Sequence, residues 1–311
     1  MIRKDYILDR WVYFAVDRKN RPNEFRHGSL PQNLGRCFFC KSGEDLTPKE
    51  IGRVEYKGSW KIRWFLNKFP AVWLKDSQKS KTKGFLTEQG SFGVHEIIVE
   101  TPNHKSTLAD LPVGHIKELL DVCRLRIGKL SQMKGIKYVD VFKNHGSDAG
   151  TSLIHSHMQV VALPKVPSLV KEEAEAAKKH KSCPYCSITK AEAKSKRMIL
   201  KTQNVVAFCP FASRFNYEAW IFTRKHRKSM EEIDEKEMQD LAVSIKKILV
   251  KLKMLDASYN MFIHYSPKGE NLHFHIEIAP RIAKWGGFEL STNEVINSVL
   301  PEDAARFYRA N

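Results

Sequence analysis

Two histidines that lie one residue apart, His155 and His157, follow a run of small residues in the stretch NHGSDAGTSLIHSHMQVVALP (144–164). The sequence after this run has strand character, and successive side chains of a strand point to opposite faces. We therefore expect both imidazoles and the carboxamide of Gln159 on one face. Side chains of these types can bind and attack a phosphoryl group.

The loop before the histidines is suited to anion binding. Gly146 and Gly150 can adopt positive φ, which lets backbone N–H groups approach a phosphate closely. A hairpin turn followed by a strand with two solvent-facing histidines fits the same stretch equally well. Other features of the chain are needed to distinguish the two interpretations.

The cysteines favour metal binding. Four of the six form two pairs with C-x-x-C spacing: Cys37, Cys40, Cys183 and Cys186. In a chain without an apparent secretory signal, such pairs indicate thiolate metal ligands rather than disulfides. A redox-active C-x-x-C is the alternative, but each pair has histidines downstream, which favours zinc.

The same order of elements occurs twice along the chain: a C-x-x-C pair, a histidine, an amphipathic helix, a strand and a His-x-His motif. The two predicted helices carry apolar stripes at helical spacing. These stripes are Ile116, Leu119, Leu120, Cys123, Ile127 and Leu130, and then Met238, Leu241, Ala242, Ile245, Leu249 and Leu252. The repeat indicates a tandem duplication, with units 1–165 and 166–311. The charged stretch 171–181 is expected to be a helical linker.

Each copy supplies two cysteines and two histidines, a set suited to tetrahedral zinc. The first set is Cys37, Cys40, His104 and His155, and the second is Cys183, Cys186, His226 and His273. A zinc ion with four protein ligands has no open position for a substrate. We therefore expect two structural zinc ions per chain, which stabilise the fold and position the histidine strands.

The second histidine of each His-x-His motif, His157 or His275, has no metal assigned to it. Gln159 follows the first and can donate a hydrogen bond to a phosphoryl oxygen, whereas Glu277 follows the second and would repel a phosphate. Chemistry is therefore expected in the first copy. A neutral His157 can attack phosphorus and form a covalent nucleotidyl intermediate.

Charge and composition indicate a globular protein with anionic partners. The chain has 311 residues, 42% hydrophobic content and a formal net charge of +17, which suits nucleotides, sugar phosphates or nucleic acid. A non-catalytic nucleic-acid binder is therefore a further hypothesis, although no recognised nucleic-acid motif accompanies the charge. No signal peptide or membrane-spanning run is apparent, so we expect a cytoplasmic protein without a membrane partner.

Together the motifs resemble the galactose-1-phosphate uridylyltransferase family of the histidine triad superfamily. The resemblance runs along the chain through DRWVYFAVDRKNRP, CFFCKSGEDLTP, FLNKFPAV, HSHMQ and KWGGFELSTNEVINSVLPEDAA. It implies an α+β fold of tandem duplicated triad-like units, each an antiparallel half-barrel sheet with helices packed outside. ADP-glucose phosphorylases of the same superfamily share nearly all of these motifs.

The resemblance also implies an activity. A uridylyl group would pass from UDP-glucose to a hexose 1-phosphate such as galactose 1-phosphate by a ping-pong mechanism, with His157 as nucleophile and Gln159 holding the adduct. An ADP-sugar or dinucleoside-polyphosphate phosphorylase, with phosphate as acceptor, is the alternative. The implied substrate-binding residues are Arg18, Arg21, Asn67, Asn144, Gly150, Thr151, Ser152, Gln159, Lys284, Phe288 and Glu289.

Two further expectations come from the resemblance. Lys284, Phe288 and Glu289 would contact the sugar phosphate in the partner subunit of a homodimer. Some family members hold iron in the second half, and the corresponding residues here are Glu173, His264, His273 and His275. His273 cannot serve two metals, and the intact cysteine pair favours zinc.

Overall fold

The computed structural model describes residues 2–4, 11–13, 36–292 and 295–310, and these residues form two compact units. The first comprises the described residues up to Lys105, together with Cys123–Val141 and Ser152–Glu173. The second comprises Ser106–Val122, Phe142–Thr151 and the described residues from Ala174 onward. The second unit thus includes two short segments of the first sequence copy. The boundary between the two copies after residue 165 stays a prediction.

The first unit contains two sheets. The smaller is built from β1 (Ile2–Lys4), β2 (Trp11–Tyr13), β5 (Ser80–Lys83) and β6 (Leu86–Gln89), in the antiparallel order β2-β1-β6-β5. The larger is built from β3 (Glu50–Tyr56), β4 (Ser59–Leu66), β7 (Val94–Val99), β8 (Tyr138–His145) and β9 (His157–Leu163). Its order is β3-β4-β7-β9-β8. Strand β8 contributes residues 138–141 to this unit and its remaining residues to the second.

The second unit repeats the strand order of the larger sheet of the first unit. Its strands are β10 (Met198–Lys201), β11 (Val205–Phe208), β12 (Ala219–Thr223), β13 (Tyr259–His264) and β14 (His275–Pro280). They are ordered β10-β11-β12-β14-β13, and each pair of neighbouring strands is antiparallel. The order matches that of the first unit strand for strand. The predicted α+β fold and its tandem duplication are therefore confirmed.

Both predicted amphipathic helices are present, as α1 (Val113–Ser131) and α4 (Glu235–Met254), and every residue of both apolar stripes is buried. Cys123 of α1 approaches Met158 of β9, with 3.8 Å between the sulfur atoms. Helix α1 thus covers the sheet face opposite to that of His157, because neighbouring strand residues point to opposite faces. Helix α4 begins with a capping box formed by Asp234 and Glu237 and packs on β11 and β12.

Four shorter helices complete the described part of the chain. They are α2 (Ser168–Lys178), α3 (Pro184–Glu192), α5 (Gly287–Thr292) and α6 (Pro301–Arg309). Helix α2 covers most of the charged stretch that was expected to be helical. No helix of the described residues combines the length and the apolar character that a membrane crossing requires.

Candidate active site

The first Cys₂His₂ set is assembled within the first unit. The Sγ atoms of Cys37 and Cys40 each lie 3.6 Å from Nδ1 of His155, and Cys40 Sγ lies 3.5 Å from Nδ1 of His104. In tetrahedral zinc coordination, bonds of about 2.3 Å to sulfur and about 2.0–2.1 Å to nitrogen separate these atoms by about 3.5 Å. The four side chains therefore fit a zinc ion.

A tight turn brings the two cysteines to this position. The Gly43 N–H donates to the Cys40 carbonyl oxygen at 2.8 Å. A Cβ atom at residue 43 would lie 2.0 Å from the Cys37 carbonyl oxygen, so this close approach requires glycine. Phe39, between the cysteines, packs against Phe65 and lies 5.2 Å from the His157 ring. The turn is thus held against the face that carries His157.

The second Cys₂His₂ set has the same geometry in the second unit. Cys186 Sγ lies 3.4 Å from Nδ1 of His226 and 3.5 Å from Nδ1 of His273, and Cys183 belongs to the same group of potential ligands. The Nε2–H of His273 donates to the Thr223 carbonyl oxygen at 2.9 Å, which directs Nδ1 at the thiol. Burial, with the nearby Cys183, raises the pKa of Cys186 to about 11. A bound cation would supply the charge that a thiolate needs here.

His155 lies before strand β9 rather than within it. The strand begins at His157, so the expected row of two imidazoles and an amide along one strand is correct only for His157 and Gln159. The Nε2–H of His155 donates to the Thr101 carbonyl oxygen at 2.7 Å, which leaves Nδ1 directed at the cysteines. Burial lowers the pKa of His155 to about 4, so the imidazole is neutral and can bind a metal. His273 likewise lies outside its strand, because β14 begins two residues later, at His275.

The His157 ring has a defined tautomer. Its Nδ1–H donates to the carbonyl oxygen of His155 at 2.8 Å, and a carbonyl oxygen can only accept. In the neutral imidazole the lone pair is therefore on Nε2. The side chain is 7% exposed. This arrangement can hold Nε2 as a nucleophile towards phosphorus.

Gln159 lies on the same strand face as His157 and is linked to a residue that the sequence pattern did not single out. The Oε1 atom of Gln159 lies 3.0 Å from Nε2 of His95 on β7. The Asn67 backbone N–H donates to the His95 carbonyl oxygen at 2.7 Å, and Asn67 Nδ2 lies 3.1 Å from His95 Nε2. The structure thus brings together Asn67, His95 and Gln159. The signal in the sequence that could have identified His95 is an imidazole within the mostly apolar stretch VHEIIV (94–99).

The glycine-rich loop belongs mostly to the second unit. Gly146 and Gly150 have φ of 80° and 79°, the left-handed region predicted for them, and a 3₁₀ turn over 147–149 joins them. Asn144 Oδ1 accepts a hydrogen bond from Asn260 Nδ2 at 2.9 Å. Thr151 is buried in the second unit, and Ser152 begins the next segment of the first unit. The roles of Asn144, Gly150, Thr151 and Ser152 stay predictions.

The family model for the N-terminal domain of galactose-1-phosphate uridyl transferase matches residues 2–167, more than half of the chain. The chain belongs to this family. It is a nucleotidyltransferase with the fold of the galactose-1-phosphate uridylyltransferases. A second family model, which describes a domain of unknown function, matches residues 127–307.

Similar proteins align with nearly the whole chain. An ADP-glucose phosphorylase from Arabidopsis thaliana is 34% identical over 333 residues, covering 99% of this chain and 92% of that protein. A galactose-1-phosphate uridylyltransferase from Thermotoga maritima is 29% identical over 328 residues, covering 99% and 97%. The crystal structure of an Arabidopsis thaliana ADP-glucose phosphorylase with bound ADP-glucose superposes with a TM-score of 0.78 at 30% identity, covering 99% and 98%.

The second unit differs from the first at His275, the residue that corresponds to His157. His275 Nδ1–H donates to the His273 carbonyl oxygen at 2.9 Å, as in the first copy, but Nε2 lies 3.3 Å from Oε1 of Glu277. Burial raises the pKa of Glu277, but the hydrogen bond and positive charge of His275 outweigh it, so this pKa lies below its usual range. Both ring nitrogens of His275 therefore face acceptors. This copy lacks the arrangement seen at His157.

A further group of potential metal ligands lies in the second unit. His264, His275 and Glu277 have ligand atoms within 4.8 Å of one another, and Oε2 of Glu277 has no hydrogen-bond partner in the described structure. Of the other two residues in the iron set implied by the resemblance, His273 is directed at Cys186 instead. Glu173 is the last residue of the first unit.

Of the tail residues assigned to the sugar side, Lys284 and Phe288 are exposed and Glu289 is half-buried. Lys284 Nζ lies 3.1 Å from Oδ1 of Asp148, and Phe288 is 48% exposed. The Glu289 carboxylate accepts from the Gly286 N–H at 2.8 Å. Arg18 and Arg21, assigned to the nucleotide phosphates, lie outside the described residues.

Proposed function

We propose that the chain transfers a nucleotidyl group from a nucleotide sugar through a covalent intermediate on His157. The tautomer of His157 carries this proposal, because Nδ1–H is bonded to the His155 carbonyl and the lone pair is on Nε2. In the first step Nε2 forms a bond to the α-phosphorus while the bond to the sugar-phosphate oxygen breaks, and sugar 1-phosphate leaves. In the second step an oxygen of the acceptor phosphate attacks the same phosphorus, and the phosphorus–nitrogen bond breaks.

The first candidate reaction is uridylyl transfer from UDP-glucose to galactose 1-phosphate or a similar hexose 1-phosphate. Membership of the galactose-1-phosphate uridyl transferase family supports it, as does the Thermotoga maritima relative along nearly its full length. In this reaction Gln159 would hold the non-bridging phosphoryl oxygens as charge develops on them. Asn67, joined to the same strand region through His95, would contact the uracil or ribose.

Phosphorolysis of ADP-glucose, with inorganic phosphate as acceptor, is the second candidate. The higher identity to the Arabidopsis thaliana ADP-glucose phosphorylase favours it, and a structural neighbour of that name was solved with ADP-glucose bound. Both reactions use the same nucleophile and differ in the nucleobase and in the acceptor.

The remaining substrate contacts form three groups in this proposal. Arg18 and Arg21 would pair with the nucleotide phosphates, and the loop residues Gly150, Thr151 and Ser152, with Asn144, would surround the α-phosphate and the sugar side. Lys284, Phe288 and Glu289 would bind the hexose phosphate in a homodimer partner. The cytoplasmic location of the enzyme stays a prediction.

We further propose two zinc ions per chain, one in each Cys₂His₂ set. The sulfur–nitrogen separations of 3.4–3.6 Å support this. Zinc in a closed set supplies cross-links between distant chain segments and no catalytic step. Iron at the second site, in the set that the resemblance implies, is the alternative to zinc.

A burst experiment tests the reaction. Enzyme at stoichiometric concentration is mixed separately with UDP-glucose and with ADP-glucose, and glucose 1-phosphate is measured before any acceptor is added. We expect close to one equivalent from the preferred donor. Galactose 1-phosphate or inorganic phosphate is then added, and the one that releases the nucleotidyl group is the acceptor. Turnover without a burst would contradict the covalent mechanism.

A further inference from the structure

His95 is a buried imidazole within reach of the proposed phosphate-binding amide. Its side chain is 2% exposed, and it lies on β7, antiparallel to the strand that carries His157 and Gln159. A buried polar ring is costly unless its nitrogen atoms are hydrogen-bonded. The partners of both ring nitrogens are therefore informative.

The backbone determines which nitrogen of His95 carries the proton. The Ala71 N–H points at Nδ1 of His95 over 3.1 Å. A backbone N–H can only donate, so Nδ1 must accept and the proton of the neutral ring is on Nε2. Nε2–H then donates to Gln159 Oε1 at 3.0 Å.

The orientation of the Gln159 carboxamide follows from this tautomer. A reversed amide would place a second NH₂ group against the Nε2–H of His95, whose Nε2 already lies 3.1 Å from the Asn67 Nδ2 donor. The observed orientation uses the amide oxygen and leaves the NH₂ group as the part of Gln159 that can donate elsewhere.

The nearby Asn67 carboxamide does not supply an alternative acceptor. Its oxygen accepts from the Phe69 N–H at 2.9 Å. The atom of Asn67 that lies 3.1 Å from His95 Nε2 is the nitrogen Nδ2, which is itself a donor. Two backbone N–H groups, those of Ala71 and Phe69, thus set the orientations of the side chains around His95.

We infer that His95 is a positioning residue that fixes the Gln159 amide with its NH₂ group available to the transferred phosphoryl group. The inference rests on the proposed nucleotidyl transfer through His157. His95 itself touches Gln159 and not the reacting atoms. Its contribution is preorganisation of a donor before charge develops on the phosphoryl oxygens.

The kinetic test is a double-mutant cycle on the full chain, with His157 nucleotidylation measured in a single turnover. Gln159→Ala should slow this step about 10²–10³-fold, the loss typical of one stabilising donor. His95→Phe keeps a ring of similar size without a donor, and it should slow the step about 10–100-fold while the dissociation constant for the nucleotide sugar changes less than about threefold. In the Gln159→Ala background His95→Phe should have no further effect. Equal losses in both backgrounds would overturn the inference.

Two further measurements keep the test decisive if His95→Phe does not fold. His95→Gln can still donate to Gln159 Oε1 and should react faster than His95→Leu, which cannot; equal rates would overturn the inference. Nitrogen-15 NMR of the wild-type chain, with the His95 signals assigned through His95→Gln, should show the proton on Nε2. A proton on Nδ1 would overturn it. A wild-type chain that forms no adduct refutes the proposed function, whereas a wild-type adduct with an unaffected His95→Phe rate refutes this inference alone.

Discussion

The Nδ1–H of His157 donates to the carbonyl oxygen of His155, 2.8 Å away. His155 in turn directs its own Nδ1 at Cys37 and Cys40. One residue thus connects the candidate metal set to the tautomer of the proposed nucleophile. Metal binding at this set would therefore stabilise the geometry of His157 without placing a metal on the substrate.

We expect His157→Gly to abolish adduct formation while the fold and the metal content are retained. The substitution removes the nucleophilic nitrogen but none of the eight Cys₂His₂ side chains. Intact-mass spectrometry after mixing with stoichiometric nucleotide sugar detects the acid-labile adduct. His180→Gly, which changes an exposed histidine two residues after α2, is the matched control and should label fully. An adduct on His157→Gly would show that another residue is the nucleophile.

We also expect one nucleotidyl group per chain rather than two. Although His275 repeats the backbone hydrogen bond of His157, its Nε2 faces the carboxylate of Glu277 at 3.3 Å. A donor bond to a carboxylate removes the lone pair that nucleophilic attack needs, and the negative charge repels an incoming phosphate. Peptide mapping of saturated enzyme should find label on the peptide that contains His157. Label on the His275 peptide would contradict the proposed asymmetry.

The order of residues along the chain was sufficient to predict the grouping of the cysteines with the histidines and the duplication, because both depend on residue types that recur in the same order. It was insufficient for the start of β9. The alternation of HSHMQ suits a strand from its first residue, but the hydrogen bond of His155 to Thr101 and its approach to the cysteines keep it outside the strand. His95 was missed for a related reason: its partner Gln159 is 64 residues away, so no local spacing connects the two.

The metal content of the protein tests whether the second Cys₂His₂ set binds zinc. Cys186→Ser should lower zinc from two ions per chain to one, because it removes the thiol that approaches both His226 and His273. The second unit should unfold at a lower temperature, while the folded fraction still labels at His157. Cys209→Ala changes a buried cysteine outside both sets and should leave zinc unchanged. Elemental analysis that finds one zinc and one iron per wild-type chain would favour the iron set that the resemblance implies, which uses His273 as a ligand.

Acid should destabilise the chelated, metal-free protein over a defined pH range. Burial lowers the pKa of both His155 and His273 to about 4, below the ordinary value near 6.5. Between these values the unfolded chain binds more protons, so the free energy of unfolding falls as the pH drops from about 6.5 to about 4. Above this pH range the full free energy of unfolding is retained. Protonation of each histidine accounts for a loss on the order of 3 kcal/mol across the range.

Urea unfolding at a series of pH values after chelation measures this loss. Added zinc should shift it to lower pH, because the ion competes with the proton for Nδ1. An unfolding free energy that stays constant between pH 7 and pH 5 would contradict the assignment of two buried neutral histidines.

The tail around Lys284 is expected to complete the sugar side of a partner subunit's site. Lys284 is 82% exposed and its partner Asp148 is 44% exposed, so their ion pair contributes little to stability and Lys284 can exchange it for a sugar phosphate. If the tail completes the partner's site in a homodimer, a His157→Gly chain mixed with a Lys284→Ala/Glu289→Ala chain should recover activity. Each heterodimer then has one site with neither defect, and random exchange should restore roughly a quarter of the wild-type rate. Either mutant homodimer should remain impaired. Subunit exchange demonstrated by mass spectrometry without recovery of activity would assign the tail to its own subunit's site or to no site.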